Sequence, residues 1–271
     1  MQKYLVILSV LFLLVSCGQQ KELSIKMATT TSTDNTGLLD YLKPFIEKET
    51  NVKISWVAVG TGKALKLGKN CDVDMLMVHA PGAEKKYLKD GFGTGRKEIM
   101  YNDFIIIGPA SDPAGIKGKS VAEALKTLAA KKIKFASRGD DSGTHKKEIK
   151  LWKAAGIKIP DRAKWYLQTG QGMINTINIA VEQDAYTMAD RGTFIKYNSV
   201  KRKVKPVVIC EGDKNLVNQY SVMYVNKKRC ENVNTAGVKR IITWFESDRA
   251  AKLIGAFRLK GKKLFVPGSK K

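Results

Sequence analysis

The sequence predicts an α/β protein with mainly parallel sheets, divided into two lobes, and three observations carry that reading. Short apolar runs rich in β-branched residues alternate with segments of helical periodicity, the pattern of βαβ units. Several of these runs end in turns rich in Gly, Ser and Thr that open directly into a helix. Two stretches, 107–113 with two prolines and the polar, acidic 210–218, interrupt the alternation and read as crossings between lobes.

The chain begins with Lys3 and an apolar run from Tyr4 to Val15 that is too short for a comfortable membrane span. Leu14-Val15-Ser16-Cys17 then has the form of a bacterial lipobox. Residues 1–16 are therefore expected to be a cleaved signal peptide, Cys17 the lipidation site, and 17–23 a tether that holds the rest at the outer face of a membrane or in the periplasm. Strands are expected at 24–28, 53–59, 75–79 and 104–108, separated by helices at 37–49, 62–67 and 83–90. Helices at 121–131, 143–155 and 173–182 then alternate with strands at 134–137 and 185–188. Strands at 207–209 and 221–225 and a helix at 238–247 complete the chain. With the two crossings in place, 24–108 plus 214–271 form one lobe, and 109–213 form a second lobe inserted into it.

The formal charge is +23, which invites a nucleic-acid partner, but the lysines are spread from Lys21 to Lys271 with no basic block interleaved with aromatics. No nucleic acid is expected; a solvated basic surface speeds the arrival of a small anion instead. Besides Cys17 there are three cysteines, Cys71, Cys210 and Cys230. One disulfide with one free thiol suits an exported protein, their spacings fit no zinc site, and all three are expected to be structural bystanders. No cofactor and no metal centre are expected.

The chemistry concentrates at helix starts. Arg138 is followed by Ser142, Gly143 and Thr144, where hydroxyls and first-turn N–H groups can face one anion and the guanidinium can add a charge-assisted fork. A similar turn, Thr29-Thr30-Thr31-Ser32-Thr33, follows the first strand, at the carboxyl end where open α/β sheets bind ligands. Gly60-Thr61-Gly62 supplies another hydroxyl at that end and lacks the spacing of a P-loop. Gly172 lets backbone approach a ligand closely at a third helix start, and Arg191 sits near another strand end. A hydrolase would have to use His79 or His145, the only histidines, and His145 near Ser142 has no evident orienting carboxylate. His79 reads as a packing residue, and no enzymatic role is expected.

The segments TTTST, VAVGTGKALKLGK, DVDMLMVHAPGAEKKYL, MYNDFIIIGPASDPAGIKG, SRGDDSGTHKKEIKLWKAAG, WYLQTGQGM and AYTMADRGTF together resemble, in order, the tungstate-binding proteins of Tup-type ABC importers. The similarity spans about 24–267. It implies a type II periplasmic binding protein whose two α/β lobes close on one tetrahedral oxyanion and hand it to a membrane permease. Carried over by position, the binding elements fall on Thr30, Thr31 and Ser32, on Thr61, and on Arg138 with Ser142 to Thr144; Arg191 is a further extension. The family's pattern has glycine where this chain has Cys71, and threonine where it has Ala189. Molybdate, sulfate or phosphate on the same scaffold is the alternative cargo. Tungstate and molybdate are dianions near neutral pH, so their site requires donors; a carboxylate facing the oxygens would select a protonated oxyanion such as hydrogen phosphate. The orientation of Asp140 and Asp141 is therefore diagnostic.

Overall fold

The computed structural model describes residues 23–270, so the expected signal peptide, Cys17 and the tether up to residue 22 lie outside the described residues. The first half of the chain runs β1 (Leu23–Thr30), α1 (Thr31–Asp34), α2 (Leu38–Thr50), β2 (Val52–Val59), α3 (Thr61–Lys69), β3 (Met75–Val78), α4 (Pro81–Lys89) and β4 (Gly93–Gly108). It continues through α5 (Val121–Lys131), β5 (Phe135–Ser137), α6 (Gly143–Ala154), β6 (Tyr166–Gln168), α7 (Met173–Glu182), β7 (Tyr186–Asp190), α8 (Arg191–Ser199) and β8 (Val207–Cys210). After a 3₁₀ turn at Lys214–Leu216 come β9 (Val217–Val225), α9 (Thr235–Phe245), α10 (Asp248–Ala256), and the short β10 (Arg258–Leu259), β11 (Lys262–Lys263) and β12 (Val266–Pro267).

The main sheet has the order β2-β1-β3-β9-β4-β7-β5-β6, with β8 and β12 also pairing with β4. It is parallel on both flanks, where β1 pairs with β2 and β3, and β5 pairs with β6 and β7. At the centre β9 and β4 run antiparallel to their neighbours. Strand β4 is longer than expected because it serves both flanks. It pairs with β9 from Gly93 to Asp103, then with β7 from Phe104 to Ile107, with no interruption in the strand. The chain returns where Val217 of β9 lies opposite Asp103.

Apolar side chains gather on either side of that change of partner. One core packs Met27, Leu38, Leu42, Met75, Val222 and Ile241, drawn from β1, α2, β3, β9 and α9. Another packs Phe104, Ile106, Leu125, Phe135, Trp152 and Tyr186, drawn from β4, α5, β5, α6 and β7. The fold is thus mixed α/β, as the alternation predicts. Helices α5 and α7 lie on the expected residues, whereas α8 and α10 were not anticipated. In α8, RGTFIKYNS buries Gly192, Thr193, Ile195 and Tyr197, so its inward face has no recognisable apolar stripe.

Cys71 and Cys230 form a disulfide, and Cys210 is a buried free thiol. Cys71 has φ 65°, in the left-handed region that favours glycine, which accounts for the glycine in the resembled pattern. Here the cysteine accepts that conformation and gains a covalent link. Among the described residues no helix is long and apolar enough to cross a membrane.

Candidate functional site

Strand β1 becomes buried on both faces toward its end, carrying Thr29 and Thr30 into the interior before the chain turns into α1. Thr30 caps that helix: its Oγ1 accepts the Thr33 N–H at 3.2 Å. The same oxygen lies 3.1 Å from Ser32 Oγ and 2.7 Å from Thr33 Oγ1, so three hydroxyls crowd into one buried cluster. Thr31 is exposed at the start of the helix. Thr61, the first residue of α3, is 1 % exposed, and its Oγ1 has no hydrogen-bond partner. Gly60 caps α3 without a side chain, which leaves its first-turn N–H groups without a capping acceptor.

The opposing wall comes from the strand–turn–helix motif β5–α6. Arg138 is 9 % exposed; its Nε donates to the Gln171 carbonyl at 3.3 Å, and its Nη2 is bound to Asp140. Asp140 also accepts the Ser142 N–H at 3.2 Å. Burial works against the charged carboxylate, but the Ser142 and Arg138 interactions outweigh it and lower the pKa. Asp141 is largely exposed and pairs with Lys146. Ser142 caps α6 by accepting the His145 N–H at 3.2 Å, while Gly143 and Thr144 are buried in the first turn. Ser142 therefore meets the backbone of His145; the His145 ring nitrogen Nδ1 accepts the Asp141 N–H at 3.1 Å. That geometry contains no nucleophile–base pair.

The two walls meet. Thr31, Ser32 and Asn35 line a cavity of about 260 Å³ together with Arg138, Gly172, Met173, Ile174, Asn175 and Thr193. Gly172 caps α7 without a side chain, so the start of that helix also opens on the cavity. Beside it, a methyl group at Gly143 would come within 3.0 Å of Thr61 Oγ1 and 3.4 Å of His79 Cε1, which places α6 hard against the threonine wall. Thr31, Ser32, Arg138 and Gly172 thus line this cavity; Thr30 lies behind Ser32, Thr61 and Gly143 pack on each other beside it, and Ser142 and Thr144 flank Gly143 in the first turn of α6.

Arg191 does not join them. Its guanidinium takes Asp103 in a two-pronged ion pair, 2.6 Å from Nε and 2.5 Å from Nη2, and also reaches Glu211 at 2.7 Å. It lines a separate cavity of about 320 Å³ with Asp103, Asp213, Lys263 and Lys270, beside the point where β4 changes partner. The DRGT motif places an arginine at a helix start without revealing which carboxylates the fold brings to it.

Residues that the sequence reading passed over also enter the site. Asn35 and Asn175 line the cavity, and Thr193 joins them with its hydroxyl donating to the buried Asp190 at 2.7 Å. His79 is 5 % exposed and touches the hydroxyl cluster directly: its Nε2 lies 3.0 Å from Thr30 Oγ1 and 3.2 Å from Ser32 Oγ. Its position at the end of an apolar strand was the available signal, since that is where this sheet presents its ligand-facing residues.

Comparison with known proteins places the chain in a family. A model of the PBP superfamily domain matches residues 17–249. The chain is 49 % identical over 241 residues to a tungstate-binding protein TupA of Campylobacter jejuni, covering 88 % of this chain and 89 % of that one. It is 46 % identical over 253 residues to a tungstate-binding protein TupA of Peptoclostridium acidaminophilum, covering 92 % and 87 %. The solved tungstate-binding protein TupA of Desulfovibrio alaskensis G20 superposes with a TM-score of 0.83 at 53 % identity, covering 92 % of this chain and 100 % of that one.

Proposed function

Because this chain belongs to the PBP superfamily and, within it, to the tungstate-binding proteins of Tup-type ABC importers, we propose that it captures tungstate in the cavity between Ser32 and Arg138 and delivers it to a membrane permease. One observation carries the choice of ligand: the cavity lining contains hydroxyls, amides, a glycine, one guanidinium and the apolar Met173 and Ile174, and no carboxylate. Asp140 is turned onto Arg138 and the Ser142 N–H, and Asp141 onto Lys146. Such a surface suits an ion that carries no proton and disfavours one that must donate a hydrogen bond.

Thr30, Thr31, Ser32 and Thr61 would donate from one side, and Arg138, the first turn of α6 and the start of α7 from the other. At roughly 1.5 to 3 kcal/mol per bond to a charged group, about six to eight donors supply the ~12 kcal/mol of a nanomolar complex after the costs of association. The lobes would close by bending where β4 passes Asp103 and β9 begins. The protein binds its ligand and performs no reaction. Leu14 to Cys17 supports a lipid anchor, and the Cys71–Cys230 disulfide suits an oxidising space outside the cytoplasm.

Isothermal titration with tungstate, molybdate, sulfate and phosphate tests this reading. Nanomolar tungstate binding with sulfate and phosphate far weaker is expected; micromolar tungstate binding, or a preference for phosphate, overturns it.

A further inference from the structure

His79 stands at the centre of a hydrogen-bond relay that the capture of an anion does not by itself require. Its Nδ1 lies 2.8 Å from Asn218 Oδ1. Asn218 Nδ2 donates to Asn102 Oδ1 at 2.8 Å and to the Tyr220 hydroxyl at 3.1 Å, so the amide oxygen is left to face the ring. The relay therefore fixes a proton on Nδ1. The ring is held flat against Tyr220, 4.7 Å between centroids and 22° between planes. Asn102 and Asn218 are register partners on β4 and β9, next to the place where both strands pass between the two flanks of the sheet.

Counting protons shows the consequence for the site. Thr30 and Ser32 have one hydroxyl proton each. With a neutral ring, Nε2 is bare and takes one of those protons, because a lone pair buried between two hydroxyls is satisfied only by accepting. One donor of the turn is then spent on the protein. With a protonated ring, Nε2–H donates into the pair, and the Ser32 hydroxyl is free to donate to an ion in the cavity that it lines.

We propose that His79 is a positioning residue for the oxyanion, and that it takes up one proton from solvent as the dianion is captured; this rests on the function proposed above. The ion is held through its oxygens, so no metal–ligand bond reaches the ring. The surroundings are poised for such a change. Burial disfavours the charged ring most strongly; the Asn218 contact and the buried Asp190 favour it, and Arg138 opposes it. Lys146, Lys147 and Lys150 line a small cavity on the far side of His79, beside Phe104 and Gly143. An arriving double negative charge acts against Arg138 and these lysines and tips the ring toward protonation.

Titrating the protein with tungstate between about pH 6 and 8, in paired buffers of different ionisation heat, reads the proton directly. Up to one proton taken up per tungstate is expected, with affinity falling by as much as about tenfold per pH unit as pH rises across part of that range. Both effects should disappear in His79→Gln. If that variant does not fold, nitrogen NMR of the wild-type imidazoles decides. There are two histidines in the chain, and His145→Gln identifies their signals. His79 should pass from neutral to protonated when tungstate is added. Tight tungstate binding with no proton uptake, with a ring that stays neutral, or with the same uptake in His79→Gln overturns the role of His79 and leaves the proposed function standing. Failure of the wild-type protein to bind tungstate overturns the function itself.

Discussion

Arg138 is the side chain on which affinity should depend most, because it brings a positive charge, almost buried, to the edge of a cavity otherwise lined by neutral residues. Replacing it with Ser removes charge-assisted bonds worth together about 3 kcal/mol and should weaken tungstate binding roughly a hundredfold by titration. Arg138→Lys keeps the charge but loses the fork, and should recover part of that loss. This residue was legible in the sequence because its local motif contains what it needs: an acidic partner two positions on and a helix start within reach. The surroundings of Arg191 and His79 were hidden for the opposite reason. The partners that matter, Asp103 for Arg191 and Asn218 for His79, lie 88 and 139 positions away, and only the folded sheet brings them together.

Helix starts are the functional elements of this protein, and α6 shows how tightly one is built. Ser142→Ala removes the cap on the His145 N–H and should cost about 1 kcal/mol, seen as a lower melting temperature. Gly143→Ala tests fit instead of stability. The added methyl meets Thr61 and the His79 ring, so tungstate affinity should fall while the fold is kept. One turn further along, Glu148 is buried against Ser137, Tyr166 and Trp152, and burial pushes its pKa up to about 7 despite three hydrogen bonds. For an acid whose folded pKa lies above its ordinary 4.5, the folded state holds the proton more tightly than the unfolded chain. Stability from this group is therefore gained as pH falls through 7 toward 4.5 and lost as pH rises through the same window. Glu148→Gln should flatten that part of a melting-temperature profile. Elements of this kind were readable where an apolar stripe announced them, as in α5, which buries Val121, Ala124, Leu125 and Leu128. Strand β4 was half missed because Gly93 to Asp103 is largely polar, and its pairing with β9 is set by residues more than a hundred positions later.

At the scale of the whole molecule, the sequence conveyed the alternating α/β plan, but three cysteines gave no means of choosing a pair. The fold chose Cys71 and Cys230, whose Cα atoms lie 5.3 Å apart across a sequence separation of 159. Closing so long a loop restrains the unfolded chain by about 5 kcal/mol on the entropic account. Cys71→Gly, which also relieves the left-handed backbone, should lose less stability than Cys230→Ser in a denaturant titration. Every residue of the wall that carries Arg138, α6 and α7 lies between the two bonded cysteines. A protease that clips any exposed loop in that interval therefore leaves both fragments tethered, and a nicked sample should migrate as a single band until a thiol is added to the gel sample and separates it into two.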